Sequence, residues 1–208
     1  MASLEKVTSF ILRQSPHGPD LLLFEHPSAG IQIPAGTVEE GEDHQAAALR
    51  EGSEESGLSG LKLEAFLGSA EEGPVIGDHF VARATTVYSR PDTASFDWAR
   101  YRAGLTVRLL RRQSGFAHVT FEEPDRWPDP QYSTYQITGW VPEDVLARTA
   151  TRHFYLFSHP GRTPDRWSVQ IDNSLFKPFW APLDQLPEII TPQAPWLKFL
   201  YKYLGGTR

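Results

Sequence analysis

The chain contains no cysteine, which removes disulfide staples, thiol nucleophiles and Cys-bound zinc from consideration. It also has no run of 18 apolar residues, so no membrane-spanning helix is expected. Its first residues, Met1 to Lys6, lack the basic, apolar and small-residue succession of a secretory leader, and the expectation is a cytoplasmic protein with no membrane partner. Basic charge is scarce: 20 Lys and Arg stand against 26 Asp and Glu, a net charge of −6. That balance argues against nucleic acid as a partner, because a protein that coats phosphate backbones needs a basic surface. The seven histidines are scattered and none is paired at zinc-ligand spacing. No short-period repeat or low-complexity tract interrupts the chain.

What remains is 208 residues, enough for one large domain or two small ones, with twelve Phe, seven Tyr and six Trp to fill a core. The first stretch reads as strands, at 7–13, 21–25 and 31–33, with turn chemistry at 15–20. Further strands are expected at 61–67 and 79–88, joined by a loop signal at Glu71-Glu72-Gly73-Pro74. Residues 89–104 are polar and irregular, with a short helix expected near 94–102. Short strands and turns follow: 105–110, a break at Gln113-Ser114-Gly115, 116–121, a proline-bearing loop at 122–131, then 134–141. Closely spaced strands of this kind suggest a small barrel. After residue 150 strands return at 153–158, 167–171 and 176–180. Thr191 and Pro192 can open a last helix, with Trp196, Leu197, Leu200, Tyr201 and Leu204 as its apolar face and Gly205-Gly206 as its end.

The chemistry is concentrated in residues 36–58, GTVEEGEDHQAAALREGSEESGL. Asp43 suits an N-cap and Gly57 a left-handed C-cap, which predicts a helix from His44 to about Ser56. At 3.6 residues per turn Glu51 and Glu55 share a face and Glu54 flanks them. Three carboxylates on about one turn repel one another. Hard divalent cations with oxygen ligands remove that repulsion. Arg50, beside them, can orient a carboxylate by a two-pronged contact. Ala48, Leu49, Gly52 and Ser56 form the expected back face. Gly52 costs about 1 kcal/mol against alanine in mid-helix, which is tolerable if the helix must lie close to a sheet.

These residues resemble a known family. The pattern Gly-x5-Glu-x7-Arg-Glu-U-x-Glu-Glu-x-Gly-U, with U a bulky aliphatic, is the Nudix box. Gly36, Glu42, Arg50, Glu51, Glu54, Glu55, Gly57 and Leu58 all fit it. Gly52 departs from it, since the family usually carries an aliphatic residue there. The resemblance implies an α+β fold, an α/β/α sandwich around a mixed sheet, occupying 1–90 and 149–208. A small all-β insertion at 91–148 interrupts it. Around Gly139-Trp140-Val141 that insertion is similar to SH3-like barrels.

The resemblance further implies metal-dependent hydrolysis of the pyrophosphate in a nucleoside diphosphate linked to another group. Mg²⁺ or Mn²⁺ would be held by Glu51, Glu54, Glu55, the Gly36 carbonyl and Glu42. Arg50 would orient the ligands, and Glu54 is the first choice of general base, with Glu71 or Glu72 as alternatives. Pro34-Ala35-Gly36 and Pro74 resemble features of ADP-ribose and sugar-nucleotide hydrolases. No aromatic can be named as the base-binding ring. Two alternatives stay open, a nucleotide sensor without turnover and an RNA-end pyrophosphohydrolase. Family precedent leaves a homodimer open. The local cluster Arg100, Arg102, Arg108, Arg111 and Arg112 reads first as a solvated sheet edge and second as a phosphate contact.

Overall fold

The computed structural model describes residues 3–171 and 174–205. Gly206, expected as part of the final helix stop, lies outside them. In chain order the elements are β1 (Glu5–Ser15), β2 (Gly18–His26), β3 (Gly30–Gln32), β4 (Ala35–Thr37), α1 (His44–Ser56), β5 (Lys62–Glu72), β6 (His79–Val81), β7 (Thr85–Tyr88), β8 (Asp97–Tyr101), β9 (Thr106–Gln113), β10 (Phe116–Pro124), β11 (Ser133–Pro142), β12 (Leu146–Ala147), β13 (Ala150–Ser158), β14 (Val169–Ile171), β15 (Ser174–Pro182) and α2 (Leu197–Tyr203). They fall into two compact units. One comprises Val7–Val38, Glu42–Ser69 and His153–Arg208, the other Met1–Lys6, Glu39–Gly41 and Ala70–Arg152.

The first unit is built on a sheet ordered β14-β15-β2-β1-β13-β5, with β3 added beside β2 and β4 beside β1. The β1–β2 hairpin pairs Leu12 with Leu21, and β2 pairs in turn with β15, Leu22 opposite Trp180. Strand alternation sorts β1 into two faces. Val7, Ser9 and Ile11 point to α1: Val7 and Ile11 share a core with Ala47, Ala48, Leu58, Tyr155 and Trp180, and Ser9 Oγ donates to the Ala48 carbonyl at 2.6 Å. Phe10 points the other way, stacked 6.3 Å from Phe154, which itself stacks at 4.0 Å on Phe199 of α2. One helix therefore covers each face of the sheet, the α/β/α layering expected of the first unit.

The second unit is a sheet ordered β12-β6-β9-β10-β11-β7-β8. Its core holds Val81, Val87, Tyr101, Val107, Ala117, Val119, Phe121 and Val141. The β9–β10 hairpin turns at Ser114 (φ 52°) and Gly115 (φ 77°), where the sequence breaks. Residues 79–88, read from sequence as one strand of the first unit, form β6 and β7 and pair inside this second sheet, so the chain has crossed by Ala70.

Three local expectations change. The helix near 94–102 is strand β8, because Ala99 and Tyr101 alternate into the core and the Tyr101 hydroxyl donates to the Ile137 carbonyl at 2.7 Å. Glu71 and Glu72 are strand residues of β5, not loop. The last helix starts at Leu197 after a 3-10 turn at Ala194–Trp196, not at Pro192. A helix opened at Pro192 would place Pro195 where the first helical N–H is required, and proline has none. Buried Gln193 instead accepts from the Ile33 N–H at 2.6 Å. Leu200 is the fully buried residue of α2, while Leu204 is exposed. Among the described residues no helix is long and apolar enough to cross a membrane.

Candidate functional site

Helix α1 is fixed by its ends. Asp43 accepts from the N–H groups of Gln45 (2.8 Å) and Ala46 (3.4 Å), and Gly57, at φ 69°, donates to the Ser53 carbonyl at 2.7 Å. Its buried face is Ala47, Ala48, Gly52 and Ser56. Leu49, expected there, is 40% exposed, and Ala47 takes its place. A Cβ on Gly52 would come within 3.2 Å of Ser9 Cβ and 3.3 Å of Ile11 Cδ1. Glycine here sets how closely helix and sheet approach.

Arg50 ties the loop before the helix to the helix. Its Nε and Nη2 donate to the two oxygens of Glu42, each at 3.0 Å, and Nη2 also reaches the Thr37 carbonyl at 3.1 Å. Nη1 donates to Glu51 at 3.0 Å and to Glu54 at 3.2 Å. The hydrogen bonds to Glu42, with the nearby charges of Glu51 and Glu42, push the guanidinium above its ordinary pKa. It is therefore a permanent cation. Glu54 is the outermost of the three carboxylates, its side chain 58% exposed.

Glu55 is the reverse case. Its Oε2 accepts from the Ala35 N–H at 2.8 Å, but burial and the charges of Glu51 and Glu54 outweigh that bond and push its carboxyl up to about 8. Burial also raises Glu51, against the opposing pull of Arg50. A buried carboxyl among like charges calls for a cation. Gly36 closes the site from the opposite side. A Cβ there would lie 2.0 Å from the Glu51 carboxyl, so only glycine leaves that carboxyl its place.

The donor set fits a hard divalent cation: oxygens only, on one helical turn, facing a glycine backbone. Among the described residues, however, no three His, Cys, Asp or Glu side chains already converge on one point. The glutamates are instead engaged by Arg50 and by Ala35.

Glu72, one alternative base, is committed elsewhere. Arg152 grips it through Nε and Nη2, each at 2.8 Å, and Lys6 lies 3.6 Å away. Burial alone would raise Glu72, but Arg152 and Lys6 hold it below the ordinary carboxylate range. In the basic cluster, Arg108 and Arg112 pair with Glu122 and Glu143, both at 2.5 Å, and Arg111 stacks 4.9 Å over Trp140. That favours the solvated-edge reading. A shallow cavity of about 290 Å³, lined by His17, Pro19, Leu183, Asp184 and Tyr201, contains none of the box residues.

Sequence reasoning missed the backbone partners, the Ala35 N–H and the Thr37 carbonyl, which only the fold brings to Glu55 and Arg50. It also missed an aromatic group at the start of α1. His44 and His153 stack at 4.3 Å, and the Tyr155 hydroxyl is hydrogen-bonded to His44 Nδ1. Phe66 packs on all three.

Residues 5–96 match the family model of the NUDIX domain. No curated protein matches the chain. The chain thus carries a Nudix domain, and that domain supports a hydrolase acting on pyrophosphate bonds.

Proposed function

We propose that the protein is a divalent-metal-dependent pyrophosphohydrolase that cleaves the pyrophosphate of a nucleoside diphosphate linked to a second moiety, with ADP-ribose or a sugar nucleotide as the first substrates to test. The observation that carries this reading is the junction of α1 with residues 35–37. There Glu51 fills the space a Gly36 side chain would occupy, Glu55 sits buried beside it with the Ala35 N–H as its partner, and Arg50 locks the loop down. A divalent cation bound there would offset the mutual repulsion of these carboxylates.

Glu51, Glu54 and Glu55, with the Gly36 carbonyl and Glu42 in support, are the groups that would hold Mg²⁺ or Mn²⁺. A bound cation supplies charge neutralisation at the phosphoryl oxygens and an acidified water. The chain's own part is positioning. Arg50 orients Glu51 and, through Glu42 and Thr37, fixes the loop. Glu54, reaching into solvent, would accept a proton from an attacking water.

The test is a panel of ADP-ribose, NDP-sugars, dinucleoside polyphosphates, NADH, dNTPs and capped RNA with Mg²⁺ and Mn²⁺. Product analysis in ¹⁸O-water identifies the phosphorus attacked. Glu54→Gln is expected to lower turnover by more than about tenfold with the fold intact. A wild-type protein that binds these compounds without cleaving any of them would establish a sensor instead.

A further inference from the structure

The charges on α1 run the wrong way for a helix. Glu51, Glu54 and Glu55 lie in its last two turns, and no basic residue occupies its last turn. A helix ends in free carbonyls that carry partial negative charge, so acids at that end destabilise it. Left to itself, this is the end that frays. Yet it is the end on which the site depends, since Glu55 meets the Ala35 N–H at 2.8 Å and Glu51 fills the space beside Gly36.

Two carbonyls near that end find donors close by in the chain. The Gly57 N–H donates to the Ser53 carbonyl at 2.7 Å, and the Ser56 hydroxyl donates to the Gly52 carbonyl at 2.5 Å. The Ser56 carbonyl instead accepts from the Trp167 indole at 2.7 Å, a partner 111 residues away in sequence. That indole is held in turn. The Trp167 backbone N–H donates to the Pro178 carbonyl at 3.0 Å, and its ring packs on the core shared by α1 and β1, 6.3 Å from the Trp180 ring. The segment leading to it is pinned as well. Thr163 accepts from the Trp180 indole at 2.8 Å, the Asp165 carbonyl accepts from the Trp180 N–H at 3.0 Å, and the Asp165 carboxylate accepts from Arg13 at 2.5 Å. Two residues past Trp167, Val169 lies against Gly57, where a Cβ would come within 2.9 Å of it. Segment 163–169 is thus a strap across the end of α1, and the Trp167 indole is its hydrogen bond to the helix.

We propose that Trp167 is a positioning residue for the carboxylates: its indole N–H keeps the last turn of α1 wound and Glu55 against the Ala35 N–H, so that divalent-cation affinity depends on a side chain that supplies no ligand atom. This rests on the divalent-metal reading for what the carboxylates hold, but the strap itself is testable without metal or turnover. Without the indole N–H, the Ser56 carbonyl must turn to water, and the turn that carries Glu54 and Glu55 opens more often.

The experiment compares the full-length wild type with Trp167→Phe, which keeps a ring and removes the N–H, and with Thr163→Val, which removes the strap's other indole contact. Both variants are expected to fold, with melting midpoints lowered by about 2–4 °C. In metal-free protein, hydrogen exchange over residues 50–58 should quicken by about three- to tenfold in Trp167→Phe and not in Thr163→Val. Mn²⁺ affinity, read from the paramagnetic resonance of the free ion, should fall by about three- to tenfold in Trp167→Phe and stay at the wild-type value in Thr163→Val. Where a substrate is found, Trp167→Phe should need more Mn²⁺ for half-maximal rate, with kcat near wild type once Mn²⁺ saturates. Equal Mn²⁺ affinity in wild type and Trp167→Phe overturns this proposal alone. So does an equal loss in both variants, which marks a general loosening, or a Trp167→Phe chain that does not fold, which marks a structural contact. No Mn²⁺ binding by wild type overturns it together with the metal reading. Mn²⁺ binding that depends on Trp167 in a protein with no hydrolytic activity would sustain this contact while removing the hydrolase reading.

Discussion

Replacing Arg50 by lysine keeps the charge and removes the fork. Arg50 makes five hydrogen bonds, to both oxygens of Glu42, to Glu51, to Glu54 and to the Thr37 carbonyl. An ammonium has three donors in a different geometry and cannot grip Glu42 with two parallel bonds. At least two of the five contacts are lost. The bond to Glu54 counts for little, because that carboxylate is largely exposed. Those to Glu42 and Thr37 are part-buried, where hydrogen bonds to charged groups contribute about 1.5–3 kcal/mol each. With Arg50 itself a quarter exposed, a discounted total of about 2 kcal/mol is expected for Arg50→Lys. For a chain of this size that lowers the melting midpoint by about 4–8 °C.

Urea unfolding followed by tryptophan fluorescence suits the measurement. The Trp167 indole donates to the Ser56 carbonyl at the end of α1 at 2.7 Å and so reports on that helix. Turnover should fall by more than about tenfold in the same variant, because Glu51 loses its orienting partner. Arg50→Lys with wild-type stability would refute the reasoning, since charge without geometry would then be sufficient. A double-mutant cycle with Glu42→Gln should return a coupling of about 1–3 kcal/mol.

Four other outcomes follow from single contacts. Glu55→Gln should be at least as stable as wild type in chelator, since burial already disfavours the anion, yet lose turnover; a marked drop in stability in a chelator melt would show that the carboxylate is structural. Gly36→Ala must displace the Glu51 carboxyl, and a loss of about 1–3 kcal/mol together with most of the activity is expected in parallel melting and rate assays. Burial, then the charge of Arg152, lowers Lys6 to about 8 from 10.5; the unfolded chain binds the extra proton between those values, so stability rises with pH across that window and is penalised in full below it. Lys6→Met should therefore stabilise by about 1–3 kcal/mol below pH 8 and flatten the curve from 8 to 10.5, as read by melts at stepped pH. Gly52→Leu should cost about 2 kcal/mol or more by overpacking, and a neutral result in the same melts would mean that helix and sheet are not in tight contact.

What could be read from the sequence was whatever sequence neighbours decide. Asp43 and Gly57 bound α1 because a cap needs only the adjacent N–H and carbonyl groups. The pairing of Glu51 with Glu55 follows from helical pitch alone, and the β9–β10 turn follows from Ser114-Gly115. What could not be read was decided by partners far along the chain. Strand β8 is polar and irregular as a string and becomes a strand because Tyr101 finds Ile137. Glu72 looks like a free loop acid until Arg152, eighty residues on, takes both its oxygens. Phe66 carries no pattern that marks it, since three of its neighbours arrive from α1 and β13.

Gly52 lies between these two cases and explains the site best. By propensity it weakens α1 by about 1 kcal/mol, and by the family pattern an aliphatic belongs there. The contacts reverse that judgement. With no Cβ, the helix can settle on Ser9 and Ile11 of β1, and the Ser9 hydroxyl then closes on the Ala48 carbonyl. Strand β4 pairs with that same β1, so the depth at which α1 sits on β1 also sets the gap between α1 and residues 35–37. That gap is where the Ala35 N–H meets Glu55 and where Glu51 fills the space beside Gly36. A bulkier residue at 52 would lift the helix, and the carboxylates would leave the backbone that positions them. The small loss in helix propensity is thus the condition for the geometry on which the proposed chemistry depends.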